Sequence, residues 1–341
     1  MMRARVWWLV WAGVLGALAL VVLGVCVGSA GLENLIGPLL NPAQDPPQTA
    51  MAQQIVWQIR LPRTLGAWLA GGLLGLAGAV AQGLFRNPLA DPYLLGSASG
   101  ASLGVALALA LFGVSPFATQ WVVRMGLTGA AFAGAVAGVL LTLALANGVL
   151  HTLRLLLAGV IVGVVLSAAR DLVTLAVPDV LQAMQAFMLG STGFVGWSAC
   201  GVMAAMLLPL AAIAWALGRV LDGLALGEST ALSLGLPLAA MRAALVGVLA
   251  LATGAAVAQT GLIAFVGLAA PHLVRSLAPT THGRLVVLSA LMGGLLLMAA
   301  DVLARWVIAP QELPVGVLTA VLGGSYLLWL MHRRRGRGAG L

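Results

Sequence analysis

The sequence has no lysine, and only nine of its 341 residues are acidic. Charged residues make up 8% of the chain and hydrophobic ones 62%. Soluble domains carry about a quarter of their residues as charges, so this chain has too few to cover a water-facing surface. Without lysine there is no GxxxxGK[ST] phosphate loop, so this chain does not bind a nucleotide through one. HExxH and GxSxG are also absent, and His151, His272, His282 and His332 are scattered, which excludes a recognisable intramembrane hydrolase. Cys26 and Cys200 lie far apart with no CxxC. They read as two buried thiols, with no metal or redox motif.

What fills the chain is a succession of apolar runs of about 20 residues, the length that crosses a hydrocarbon core of roughly 30 Å. Mean hydropathy is +1.08. Ten runs stand out, at 7–28, 64–84, 96–114, 126–146, 155–177, 199–218, 240–258, 260–274, 285–304 and 315–331. The expected fold is an all-α integral membrane protein of about ten transmembrane helices, a single polytopic domain over 1–341. The first run is long for a signal-peptide core and lacks an A-x-A cleavage site, so it reads as a retained span. The eighth is short, Gly-rich and ends at Pro271, so it reads as a broken helix.

All seventeen basic residues are arginine, giving a net charge of +8. They sit at the ends of apolar runs and form no basic stripe with interleaved aromatics, which argues against nucleic acid. With both termini in the cytoplasm, twelve arginines fall inside and four outside, namely Arg60, Arg63, Arg124 and Arg305. Arg170 falls within the fifth run. Gly71 and Gly75, Gly134 and Gly138, and Gly159 and Gly163 are spaced four apart, as in closely packed membrane helices.

Four polar stretches interrupt this pattern. They are the outside loop 28–58 leading into RLPR (60–63), the inside turn RNPLADPYLLGSAS (86–99), the inside segment 219–242, and GLIAFVGLAAPHLVR (261–275). The third contains LDGLALGESTALSLGLP, with leucines and alanines at helical spacing and Gly227, Gly235 and Pro237 as breakers. It predicts two short helices at the membrane surface, each with one apolar face. Such a face is too short to span and too polar to bury in lipid. A soluble protein surface would cover it; an interfacial loop resting on headgroups is the alternative.

These stretches together resemble one family, the FecCD-type permease subunits of bacterial ATP-binding-cassette importers for iron-siderophores, haem and corrinoids. The matching pieces are RLPRTLGAWLAGGLLGLAGAVAQGLFRNPLADPYLLGSASG (60–100), LRLLLAGV (153–160), the GESTALSLGLP region, GLIAFVGLAAPHLVR (261–275) and ADVLARWVIAPQELPVGVLTAVLGG (300–324). They cover nearly the whole chain in the family's order. The resemblance implies a homodimer in the bacterial inner membrane, working with two cytoplasmic ATP-binding subunits and a periplasmic substrate-binding protein. It implies no cofactor on this chain, with ATP and Mg held by the partner subunits.

Residue by residue, the resemblance implies three sites. Coupling to the ATPase falls on Leu221, Asp222, Leu226, Gly227, Glu228, Ser229, Thr230, Leu234 and Gly235, with Glu228 to Thr230 capping the second short helix and the apolar faces covered by the partner. Docking of the binding protein falls on Arg60, Arg63 and Arg305, read as exposed arginines that meet acidic residues; headgroup snorkelling is the alternative. The cytoplasmic gate falls on His151, Thr152 and Leu153. Here the family often has two small hydroxyl residues, and this chain departs with leucine after Thr152.

The pathway falls on Arg170, Asp171, Met184 and Met188. Charges inside a span usually face a cavity, although Arg170 near the outside end also suits snorkelling, and methionine is often plain filler. Adjacent on one helix, Arg170 and Asp171 point about 100° apart and are not expected to pair. His272 reads as a structural or capping residue. An ion-coupled secondary transporter is the competing class, but its relay would need acids deep in the bilayer, and Asp171 and Asp301 lie towards outside ends. The PYLLG form of the inside turn leans towards a corrinoid or siderophore over haem.

Overall fold

The computed structural model describes residues 2–28, 31–32, 46–113, 121–149, 151–233 and 237–338. These residues are almost wholly helical. The long helices are α1 (Met2–Cys26), α3 (Leu61–Leu84), α4 (Ser97–Phe112), α5 (Trp121–Leu145), α6 (Thr152–Ala176), α8 (Trp197–Ala216), α11 (Leu238–Thr260), α13 (His282–Trp306) and α14 (Val315–Gly338). Shorter ones are α2 (Pro46–Ile55), α7 (Leu181–Leu189), α9 (Gly218–Ala225), α10 (Glu228–Ser233) and α12 (Val266–Leu277). Leu234 and Gly235, expected to take part in coupling, lie outside the described residues.

The apolar runs read from the sequence fall largely on helices, and these differ in length. Among the described residues, seven helical segments are long and apolar enough to cross a membrane. One of them is continuous from Pro46 to Leu84, through a π-helical stretch at Val56–Arg60. Ser97–Phe112 and Val315–Trp329 are apolar but shorter. The run 260–274 is broken: residues 261–264 are not helical, Phe265 is left-handed at φ 68°, and α12 starts only at Val266. Pro271 does not end that helix as the sequence reading expected; α12 continues to Leu277. A proline removes the donor for the carbonyl four residues back, here that of Gly267. Gly78 on α3 backs against that oxygen, where any side chain would collide with it.

α3 is the centre of the bundle, buried along most of its length, and α13 packs along it. Backbone meets backbone there. A methyl group on Gly71 would run into the carbonyl oxygen of Gly293, and one on Gly75 into that of Ser289. The same device joins α4 to α5 through Gly100 and Gly134. Where lipid removes the hydrophobic drive between helices, close van der Waals contact takes its place. α1 and α6 are peripheral, with apolar faces turned outwards (Leu15 64%, Val164 65% and Leu175 78% exposed). Lipid or a second chain covers such faces.

Gly75→Val should therefore part α3 from α13, because overpacking of this kind costs about 1–3 kcal/mol or more. The expected outcome is a lower melting temperature in detergent and less folded protein in membranes. Gly201→Val, where open space surrounds the glycine, should leave both unchanged. Equal behaviour of the two variants would contradict this packing.

Candidate functional site

At one end of the bundle the C-termini of α1 and α13 meet the start of α3. Helix C-termini leave carbonyls without intrahelical donors, and arginines use them. Arg60 Nη1 donates to the Val25 carbonyl at 2.7 Å. Arg305 Nη1 donates to the carbonyls of Gly24 and Val27 at 2.8 and 3.0 Å, and its Nη2 to the Thr64 hydroxyl at 3.2 Å. Asp301, fully buried one turn before Arg305 on α13, is the shared anion. It accepts from Arg63 Nε at 3.0 Å, from Arg305 Nη2 and from the Thr192 hydroxyl. Arg63 also reaches Glu312 on the connection between α13 and α14, with Nη1 2.8 Å from Oε2.

This corrects the expectation that Arg60, Arg63 and Arg305 stand exposed for a partner. Their relative exposures are 7%, 8% and 1%. The free carbonyls of α1 and the Asp301 carboxylate draw the guanidinium groups inwards, since a buried charge needs hydrogen-bonded partners. Thr64, Thr192 and Glu312 were missed in the sequence. The spacing of Asp301 and Arg305, one helical turn apart, is a readable ion-pair signal; Glu312 lies on an irregular connection that carries none.

At the opposite end lie α9 and α10, the two short helices expected in 219–242. Their orientation differs from the expectation. The apolar face of α9 turns into the bundle: Val220, Leu221 and Leu224 are buried, and Leu221 packs beside Gly83 at the end of α3. Among the described residues there, Leu226 is the exposed large apolar one, at 72%. The chain's own helices α3 and α13 thus cover the apolar face of α9, which seemed to require a partner. Glu228 is the first residue of α10, so Glu228 to Thr230 form its first turn and are not its cap; Gly227 precedes them at φ 113°. An acid in the first turn suits the helix dipole. Glu228 also pairs with buried Arg242 at 2.9 Å. Asp222 accepts from the His282 backbone N–H at 3.0 Å and lies 2.7 Å from its Nδ1, fastening α9 to the start of α13. Nearby, Arg275 donates to Gln82, which donates to the Leu268 carbonyl at 3.1 Å. His272 lies edge-on to Tyr326.

Between these ends α4 and α6 form a groove of about 660 Å³. Asp91, Ser99, Gly163, Ser167 and Asp171 contribute to its wall, and Ser167 donates to Ser99 at 3.1 Å. Arg170 and Asp171 do pair, contrary to expectation, with Nε and Nη2 3.0 and 2.6 Å from Oδ1. The long arginine side chain folds back around the helix, so the 100° offset between Cβ atoms does not keep them apart. Arg170 Nη1 also meets the Met188 sulfur at 3.2 Å. Met184 is not on an open wall but buried in a small cluster with Ala101, Val105 and Val257. His151 and Leu153 are exposed and Thr152 half-buried at the start of α6. Cys200 is buried, whereas Cys26 is only half-buried.

A protein-family model described as the FecCD transport family matches residues 6–333. The chain belongs to this family. Vitamin B12 import system permease protein BtuC of Shigella boydii serotype 18 is 39% identical over 334 residues, covering 98% of this chain and 97% of that protein. The BtuC of Escherichia coli O9:H4 (strain HS) is 40% identical over the same coverage. A solved inward-facing structure of a metal-chelate type ABC transporter superposes with TM-score 0.82 at 28% identity, over 95% of this chain and 98% of that one. PsaBC from Streptococcus pneumoniae, at TM-score 0.55 and 17% identity over 79% and 89%, shares the fold alone. The family chain is a multi-pass inner-membrane permease, a transport component of an ABC importer and not an enzyme. Such permeases work with ATP-binding subunits and substrate-binding proteins.

Asp301→Asn leaves two buried arginines without their shared anion, and breaking a buried pair costs about 3–5 kcal/mol. Thermal melting in detergent should show a large loss, against about 1 kcal/mol for Thr192→Val. A melting temperature equal to the parent's for Asp301→Asn would contradict the cluster. Asp91, in the turn after α3, is pushed above the ordinary carboxylate range by burial, an effect opposed by the Tyr93 N–H bond to Oδ1 at 2.8 Å. A raised folded-state value favours the folded chain at acid pH, and that stabilisation is lost as pH rises through it. Asp91→Asn keeps the acceptor and removes the charge. It should melt about 2–4 °C above the parent near pH 7 and level with it at acid pH. No gain near pH 7 would contradict the assignment.

Proposed function

We propose that this chain is one half of a homodimeric importer that carries a corrinoid, as a large metal chelate, from periplasm to cytoplasm. The observation that carries the reading is the near full-length identity of 39–40% to vitamin B12 import permeases. The chain crosses the membrane ten times with both ends in the cytoplasm. The Asp301 cluster faces outwards and α9 and α10 face the cytoplasm, the arrangement favoured by the twelve-to-four distribution of arginines. A second copy closes the groove between α4 and α6 into a pathway, with Arg170, Asp171 and Met188 near its outer part and His151, Thr152 and Leu153 at the inner gate.

Two cytoplasmic subunits hold ATP and Mg, and the chain itself holds no cofactor. They meet the exposed side of the 219–242 segment: Leu226, Gly227 and the first turn of α10. Force reaches the bundle through two polar ties, Asp222 to His282 and Glu228 to Arg242. A periplasmic binding protein delivers the cargo at the Asp301 cluster, where an acid on its surface meets Arg63. The docking surface is accordingly a rim over buried arginines, not a row of exposed ones. Reversing Arg60 or Arg63 to glutamate would disturb that buried cluster as well as docking.

The reading is tested by uptake into proteoliposomes holding this chain with its ATP-binding and substrate-binding proteins. Cobalamin, haem and a ferric siderophore are offered in parallel, and ATP-dependent uptake of cobalamin is expected. Uptake of the siderophore or haem instead would overturn the cargo. Failure of all three, with ATP hydrolysis still stimulated by the binding protein, would overturn the cargo and keep the importer. In the same vesicles Glu228→Arg sets two cations against each other at the α10 tie and should lower uptake about tenfold. Unchanged uptake with unchanged stimulation would remove coupling from α10.

A further inference from the structure

Arg63 is served by two acids of unlike character. Asp301 is fully buried and shared with Arg305, which fixes it in place. The Glu312 side chain is 33% exposed and lies on the connection after α13, where residues 306–312 are exposed. Glu312 directs both carboxylate oxygens at one nitrogen, with Nη1 3.1 Å from Oε1 and 2.8 Å from Oε2. It does not form the two-nitrogen fork that makes arginine–carboxylate pairs strong. Among the described residues Arg63 Nη2 donates no hydrogen bond. A second carboxylate therefore has a donor, Nη2, that Glu312 does not use. Once Glu312 has gone, Arg63 and Arg305 share the single charge of Asp301, and that unbalanced site favours another anion.

We propose that Glu312 is an exchangeable stand-in for a carboxylate of the docking protein: the incoming acid takes over Arg63, and Glu312 swings out with its connection. This rests on the docking role given to Arg63 above. In the undocked transporter Glu312 is the second anion beside Arg63 and Arg305, which otherwise share Asp301. It also competes with every incoming acid, so weak or poorly placed carboxylates do not engage. A partner must present a carboxylate that reaches both Nη1 and Nη2 to win the exchange. Glu312 is thus a specificity-setting residue that acts through Arg63.

The test is the affinity of the import system's own substrate-binding protein for the full transporter in nanodiscs, measured for the parent, Glu312→Gln, Arg63→Lys and Arg63→Gln. Glu312→Gln removes the competing charge and keeps a side chain of the same size. Tighter binding is expected, by about threefold to tenfold, on the scale of a part-exposed ion pair. The gain should shrink as salt rises. Arg63→Lys, which keeps the charge and loses the fork, should bind more weakly than the parent. Unchanged or weaker binding by Glu312→Gln, while either Arg63 variant also weakens binding, would overturn the exchange and leave docking at Arg63 standing. Unchanged binding by both Arg63 variants would instead overturn docking at Arg63. Melting curves on the same samples separate these outcomes from misfolding.

Discussion

One buried carboxylate holds an entire end of this bundle together. Asp301 accepts from Arg63, Arg305 and Thr192. Through them it joins α13 to α3 and to the segment after α7. Arg305 extends the tie to carbonyls at the end of α1 and just beyond it, those of Gly24 and Val27. In a chain with 8% charged residues each ion has to be satisfied by another part of the protein, because lipid offers nothing. The arginines at this end are consequently structural first. Any traffic with a partner takes place at the edge of a cluster whose arginines already have partners within the chain.

The composition made the membrane class legible, and the hydropathy runs located the helices. Their periodicity could not tell a full crossing from a shorter helix. The segment 260–274 illustrates why: its apolar content is high, but Phe265 in a left-handed conformation and residues 261–264 outside any helix divide it. The glycines spaced by four were readable as contact sites, yet which helix each would meet was not. Gly71 and Gly75 meet α13, more than two hundred residues away. Such pairings depend on the tertiary fold and leave no local mark.

The site residues show the same division. The types of residue at 60, 63, 222, 228 and 305 stood out because charges are rare in this chain. Their environments did not. Leucines at helical spacing in 219–225 announce an amphipathic helix, but period alone is silent about what the apolar face meets; the chain's own α3 and α13 meet it. Arg170 pairs with Asp171 because the guanidinium reaches past the roughly 100° offset of the two Cβ atoms, and that reach leaves no mark in the helical period. Asp222 finds His282 sixty positions on, and Arg63 finds Asp301 at a separation of 238.

α13 is fixed at both extremities. His282 at its first turn is held by Asp222 of α9, and Asp301 and Arg305 at its last turns are locked into the charged cluster. Its 25 residues rise about 37 Å, close to the thickness of a bilayer with its interfaces. Between the two ends its glycines lie flat on the backbone of α3, which leaves little room to bow. Mechanically, α13 is a strut pinned at each end. The distance between the arginine cluster and the short helices on the far side is set by one piece of secondary structure, so neither surface can shift along the membrane normal without carrying the other with it.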